Sequence, residues 1–207
     1  MLRLPTSPFP PVVYMALVMD APAFEIEAQE SFMKQTWRNR FDVRGANNVQ
    51  TLTIPVNAKG ALKPLTASVT LREGDWLREH RRTLEAAYNS SPFGEHYLPE
   101  VLDLIAPRQD KLIEYNRRLM DWVLQEVQWT GEVAETAGFE VPPKDGMRTW
   151  FRRSKWLHLP CAEYAQTFEE RRPFDPHLSV LDVLMNLGPE TGAYLRQVSA
   201  ALPAFPK

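Results

Sequence analysis

At Asp75 the hydrophobic pattern of this chain changes period, and that change limits the folds open to it. Upstream, apolar and polar residues alternate, as on strands with one buried face. "AFEIEA" places Phe24 and Ile26 on one side. "RNRFDVRG" places Phe41 and Val43 on one side and Arg38, Arg40, Asp42 and Arg44 on the other. "GANN" follows as a turn, because Gly and Asn tolerate positive φ, and "VQTLTIPV" reads as the returning strand of a hairpin. "ASVTLRE" is a further strand candidate. Downstream the period becomes 3.6. In "GDWLREHRRTLEAAY" Leu77, His80, Leu84 and Ala87/Tyr88 form one stripe, with Asp75 as the expected cap. "QDKLIEYNRRLMDWVLQEVQW" is the clearest helix, and "HLSVLDVLMNLG" and "PETGAYLRQVSAAL" read as two short helices parted by Gly188-Pro189. "SPFGEHYLPEVLDLIAP" is helical from a Ser91 cap, with Pro99 expected to split it. One early element breaks the order: "VVYMALVM" is rich in helix formers and ends before Pro22.

Strands first and helices after predict an α+β fold. The expected arrangement is a small, mostly antiparallel N-terminal sheet with a hairpin, followed by a largely helical C-terminal half. A chain of 207 residues fits one domain, taken as 1–207, with a mobile loop expected at the Pro-rich Glu140–Gly146. Cys161 is the single cysteine, so no internal disulfide forms and a reducing, cytoplasmic setting follows. Pro5, Pro8, Pro10 and Pro11 interrupt the start, and no apolar run reaches membrane-spanning length, so no membrane insertion is expected. The sequence leaves the oligomeric state open.

The net charge is −2, which argues against a general nucleic-acid coat protein. Against that background, Lys34, Arg38, Arg40 and Arg44 crowd into eleven residues with Gln35, Trp37 and Asn39 between them. Arg38 and Arg40, placed on one strand face, are able to converge on a phosphate or carboxylate. A solvated face paired to Glu27, Glu30 and Asp42 explains the same residues, and both readings stay open. His80 is either a general base in a cleft or a half-buried helix histidine with a backbone partner. His158, Cys161, Asp175 and His177 lack four-ligand zinc spacing, so neither a metal nor a cofactor is expected. Phosphate-loop, dinucleotide-fold and nucleophile-elbow motifs are absent.

"FPPVVYMALV", "IEAQESFMKQTWRNR", "LTIPV", "WLREHRRTLEAAYNSSPFGEHY" and "YAQTFEERRPFDPHLSVLDVLMNLG" occur in order from Phe9 to Gly188. Together they resemble the WbqC-like family of bacterial proteins, named from genes for O-antigen and other surface polysaccharides. The family-pattern polar residues carried over are Tyr14, Glu27, Glu30, Lys34, Gln35, Arg38, Asn39, Arg40, His80, Tyr88, Gln166, Ser179, Asp182 and Asn186. This chain departs from the pattern at Asn47-Asn48, where Asn-Gly is usual, and at Ala28-Gln29, near which longer members carry an aspartate pair. The resemblance implies a transferase of acyl or aminoacyl type acting on an amino-sugar nucleotide. The alternative is a non-catalytic protein that binds a sugar nucleotide or a pathway partner. On the first reading Lys34, Arg38 and Arg40 hold phosphate, Trp37 or Tyr14 stacks on base or sugar, and His80 is the base. Glu27, Asn39, Asp182 and Asn186 complete the expected ligand site. In "HLSVLDVLMNLG" Ser179 reads as an N-cap with Asp182 three residues on, and Asp182 or Asn186 is expected to reach Arg38 or His80.

Overall fold

The computed structural model describes residues 1–58, 64–139 and 158–203; the loop expected at 140–146 lies outside them. Its principal sheet has three strands, β1 (Leu2–Leu4), β2 (Ala23–Ile26) and β7 (Glu132–Glu135), in the order β1-β2-β7. Both pairings are parallel, with Leu2 opposite Phe24 and Phe24 opposite Val133. This corrects the mostly antiparallel sheet expected from the sequence. A parallel pair needs a crossover, and helix α1 (Val12–Met19) supplies it between β1 and β2. Strand β1 is three residues long and runs into the Pro5–Pro11 cluster, which hid it. Strand β7 is a short edge strand with both glutamates exposed, so it carries no apolar alternation.

Among the described residues the antiparallel pairing lies in two separate two-stranded ladders and in isolated bridges such as Pro11 with Ser179. Strand β3 (Arg40–Arg44) pairs with β4 (Val49–Thr53), Arg40 opposite Thr53, and β5 (Val56–Asn57) pairs with β6 (Thr70–Leu71). Phe41 and Val43 enter the core, as the alternation requires. Helices α2 (Trp76–Tyr88), α3 (Gly94–Leu104) and α4 (Leu112–Glu126) follow. Helix α3 runs through Pro99 without splitting. Pro99 and Glu95 lie on its exposed side, where solvent receives the carbonyl that Pro99 leaves unbonded. The helix starts at Gly94 and not from a Ser91 cap: the Ser91 hydroxyl donates back to the Tyr88 carbonyl (2.7 Å), and that same carbonyl lies so close to Gly94 that an added Cβ would stand 2.1 Å from it.

Helices α5 (Val180–Leu187) and α6 (Thr191–Ala201) close the chain, and α6 packs against α1. All of α1 but Leu17 is buried. Its start is joined to the start of α5: the Val12 amide donates to the Leu178 carbonyl (3.1 Å) and the Val180 amide to the Pro10 carbonyl (2.8 Å). Among the described residues, no helix is long and apolar enough to cross a membrane.

Candidate functional site

Open parallel sheets present their ligand crevice beyond the carboxyl ends of the strands. Here that edge collects residues remote in sequence. Beyond β1 lies the turn Pro5-Thr6-Ser7, and beyond β2 come Glu27 and Glu30. The Tyr14 hydroxyl, in the first turn of α1, donates to the Pro5 carbonyl (3.0 Å). Burial pushes the Tyr14 phenol far above its ordinary value, with Arg38 pulling it down and Glu27 and Glu30 pushing it up. Those charges therefore stand close to the phenol. Asn116 of α4 closes the cluster, its amide donating to the Arg38 carbonyl (2.8 Å) and the Thr6 hydroxyl (3.1 Å).

Arg38 does not lie on the strand face with Arg40. It sits in the turn before β3, and its guanidinium is turned inward onto Glu30. Its Nη2 donates to one Glu30 oxygen at 2.6 Å and its Nε to the other, with the side chains 1% and 2% exposed. A bidentate pair this deep occupies the fork that sequence reasoning offered to phosphate. Gln35 takes a positive φ of 59°, held by Thr36, whose hydroxyl donates to the Met33 carbonyl (2.8 Å). Trp37 is buried, and the Asn39 amide donates to the Ile54 carbonyl (2.9 Å). Lys34 is exposed and Arg40 half-buried. Among the described residues neither has an ion pair or a side-chain hydrogen bond, and the Arg40 Nε is fully buried.

His80 lies across the hairpin from this turn. Its ring stands edge-on to Phe41 and Trp76, with centroids 5.8 and 5.0 Å away. Nε2 is 3.2 Å from the Thr53 carbonyl, which only accepts, so Nε2 carries the proton. Nδ1 is buried with no partner. Burial pushes the imidazole down to about 4, so it is neutral at physiological pH.

A second polar cluster lies under the other end of the hairpin. Arg44 is 0% exposed and is wrapped by residues 166–175. It donates to the carbonyls of Thr167 (2.8 Å), Arg172 (2.9 Å) and Pro173 (2.9 Å), to Gln166 Oε1 (2.7 Å), and to Asp175 (2.8 Å). Beneath this wrap the Tyr164 hydroxyl donates to Asp182 (2.7 Å), as does the Gln166 amide (3.2 Å). Tyr88 lies beside Asp182 without a hydrogen bond of ordinary geometry. Burial pushes the Asp182 carboxyl up to about 6, against Tyr164, Tyr88 and Arg44, which favour its charge. Asn186 receives the Thr167 amide (3.2 Å) and hydroxyl (3.1 Å). Helix α5 thus reaches the basic hairpin through Arg44, and among the described residues neither Asp182 nor Asn186 bonds to Arg38 or His80. Ser179 has cap-like backbone angles, but its buried hydroxyl makes no capping bond. Cys161 contacts the Tyr194 hydroxyl (3.1 Å), and burial pushes its thiol up. Among the described residues no three metal-ligating side chains come together.

The sequence pattern of the WbqC-like protein family matches residues 7–150, well over half of the chain. The chain belongs to the WbqC-like protein family. That family is associated with polysaccharide biosynthesis. The chain is also similar to the uncharacterized protein Rv1507c of Mycobacterium tuberculosis, 24% identical over 218 residues, covering 88% of this chain and 91% of that one. No solved structure matches it.

This WbqC-like chain therefore brings Tyr14, Glu27, Arg38 and Asn39 to one region, with Lys34, Trp37 and Arg40 on the adjoining turn and strand. It keeps Asp182 and Asn186 in a separate cluster. Ser7 and Asn116, which sequence reasoning did not single out, also stand at this edge. Asn116 left a signal: it interrupts the apolar stripe of α4 between Leu112 and Leu119, where a polar residue needs an interior partner. Ser7 left none.

Proposed function

We propose that this WbqC-like protein binds a nucleotide-activated amino sugar at the carboxyl edge of its parallel sheet, and transfers an acyl or aminoacyl group to it in bacterial polysaccharide assembly. The observation that carries the binding half is Arg40. A half-buried guanidinium without an anion is costly to hold, and a phosphate supplies the missing charge. Lys34, exposed on the preceding turn, adds a second cation. Arg38 serves this site by pinning the turn to Glu30. Tyr14, Glu27, Trp37 and Asn39 form the wall toward the sugar, and the work takes place in the cytoplasm. Asp182 and Asn186 act from a distance, by fixing the segment that wraps Arg44. The transfer half rests on the family setting, with His80 as the base.

One observation favours the non-catalytic alternative. His80 is neutral, enclosed by Phe41 and Trp76, and already bonded to Thr53. The experiment separates the two. Purified protein is melted against nucleotide sugars, nucleotides and acyl carriers, and mixtures of donor and acceptor are then followed by mass spectrometry. Stabilisation by nucleotide sugars, lost in Arg40→Gln, supports binding. An acylated sugar product that disappears in His80→Gln supports transfer. Binding without product leaves the binding module, and no stabilisation by any nucleotide sugar refutes the proposal.

A further inference from the structure

Three buried polar atoms near the carboxyl edge of β1 are able to receive a donor: two amide oxygens, which only accept, and the Ser7 hydroxyl, which both accepts and donates. Asn39 and Asn116 both spend their amide hydrogens on protein acceptors, Asn39 on the Ile54 carbonyl and Asn116 on the Arg38 carbonyl and Thr6 hydroxyl. Carbonyls accept only, so the orientation of each amide is fixed and each Oδ1 is an acceptor. Both Oδ1 atoms are buried and have no partner, and the same holds for the hydroxyl of Ser7, one residue beyond Thr6. Folded proteins seldom leave such atoms unmet, because each costs stability when water is removed and nothing replaces it. The surroundings add acceptors. Glu27 and Glu30 carry carboxylates, and the Arg38 fork is already taken by Glu30.

A phosphate is itself acceptor-only and negatively charged, so the two amide oxygens and the neighbouring carboxylates disfavour it, although the Ser7 hydroxyl alone could donate to it. The atoms call for donors: hydroxyl or amino groups. We propose that Ser7, Asn39 and Asn116 form the inner, sugar-reading part of the ligand site, taking hydroxyl or amino groups of a sugar, while Lys34 and Arg40 hold the diphosphate outside. This rests on the nucleotide-sugar reading above and adds the orientation of the ligand, sugar inward and phosphates outward.

Ser7→Ala is the informative variant. The hydroxyl has no protein partner, so its removal strands nothing, and the melting midpoint stays level or rises. Calorimetry with UDP and UDP-N-acetylglucosamine, and NMR titration with glucosamine, read the two parts separately. Ser7→Ala weakens UDP-N-acetylglucosamine and glucosamine by about tenfold, the size of one lost hydrogen bond, and leaves UDP unchanged. Arg40→Gln does the reverse: UDP and UDP-N-acetylglucosamine weaken and glucosamine does not. A Ser7→Ala variant that binds all three like the wild type, loses UDP equally, or melts lower overturns the proposal. Wild-type protein that binds glucosamine but neither UDP compound refutes the nucleotide reading and leaves the sugar-reading residues standing. Wild-type protein that binds UDP as well as it binds UDP-N-acetylglucosamine refutes the sugar-reading residues alone.

Discussion

Two buried groups give this fold opposing responses to acid, and removing either one exposes the other. Asp182 titrates at 3.8 when exposed and at about 6 in the fold, because burial disfavours its charge. The folded state therefore holds a proton that the unfolded state has released. The stability from this group is fully present below pH 3.8 and is lost as pH rises through 6. His80 moves the other way, from 6.5 down to about 4, again by burial. The unfolded state then holds the extra proton, so stability present above pH 6.5 is lost as pH falls through 4. At ~1.4 kcal/mol per pH unit each group is worth roughly 3 kcal/mol across its window. Between about pH 4 and 6 the two slopes cancel. Denaturant unfolding of the wild type, Asp182→Asn and His80→Gln at half-unit pH steps measures this directly. Relative to wild type, Asp182→Asn loses roughly 3 kcal/mol as pH falls from 6 to 4, and His80→Gln gains a similar amount as it falls from 6.5 to 4. The replacements keep an acceptor for Tyr164 and a donor for Thr53, so the hydrogen bonds survive. Difference profiles that are flat, or that slope the same way, refute the reasoning.

Three further outcomes follow from the buried contacts. Arg38→Gln removes the guanidinium from Glu30 and destabilises the fold by roughly 3–5 kcal/mol, about 6–20 °C in melting midpoint, while Arg40→Gln, which relieves an uncompensated half-buried charge, leaves the ligand-free midpoint level or raises it. Equal melting of the two variants would contradict the ion-pair geometry. Ser179→Ala leaves stability unchanged or slightly raised, where a working cap would lose about 1 kcal/mol; chemical denaturation decides. Arg44→Lys keeps the charge but has no fork for the Gln166, Asp175 and carbonyl acceptors, so residues 166–175 become susceptible to limited proteolysis at low protease concentration.

Local periodicity made much of the fold readable. The apolar run over Val12–Met19 gives α1 at its own bounds, and the alternation around Phe41 and Val43 gives the hairpin. The sheet was not readable, because its three strands are brought together from opposite sides of long insertions. Nothing in "LRL" or "EVAE" announces that Phe24 will lie between Leu2 and Val133. The candidate site divides along the same line. Residue type flags a cationic segment, but not that Arg38 lies in the turn before the strand, where Glu30 takes it, while Arg40 has no anion among the described residues. Ser179 shows the reverse problem. Its spacing to Asp182 matches a capping box, yet the hydroxyl is buried without bonding the helix, so sequence spacing alone could not establish the bond.

The joining of the two ends of the chain has a consequence for its synthesis. Val12 at the start of α1 waits for the Leu178 carbonyl, and Asp42 for the Ser179 amide, which donates to its carbonyl at 2.9 Å. Arg44 finds its acceptors only between Gln166 and Asp175. On a ribosome, everything up to α4 emerges before any of these partners exists. Contacts so distant in sequence close late and slowly. A nascent chain that stops short of Leu178 holds an unsheltered α1 and an interior arginine with nothing to bond. Synthesis of residues 166–187 is thus what supplies these partners, and products shortened before it present the apolar surface that chaperones and proteases recognise.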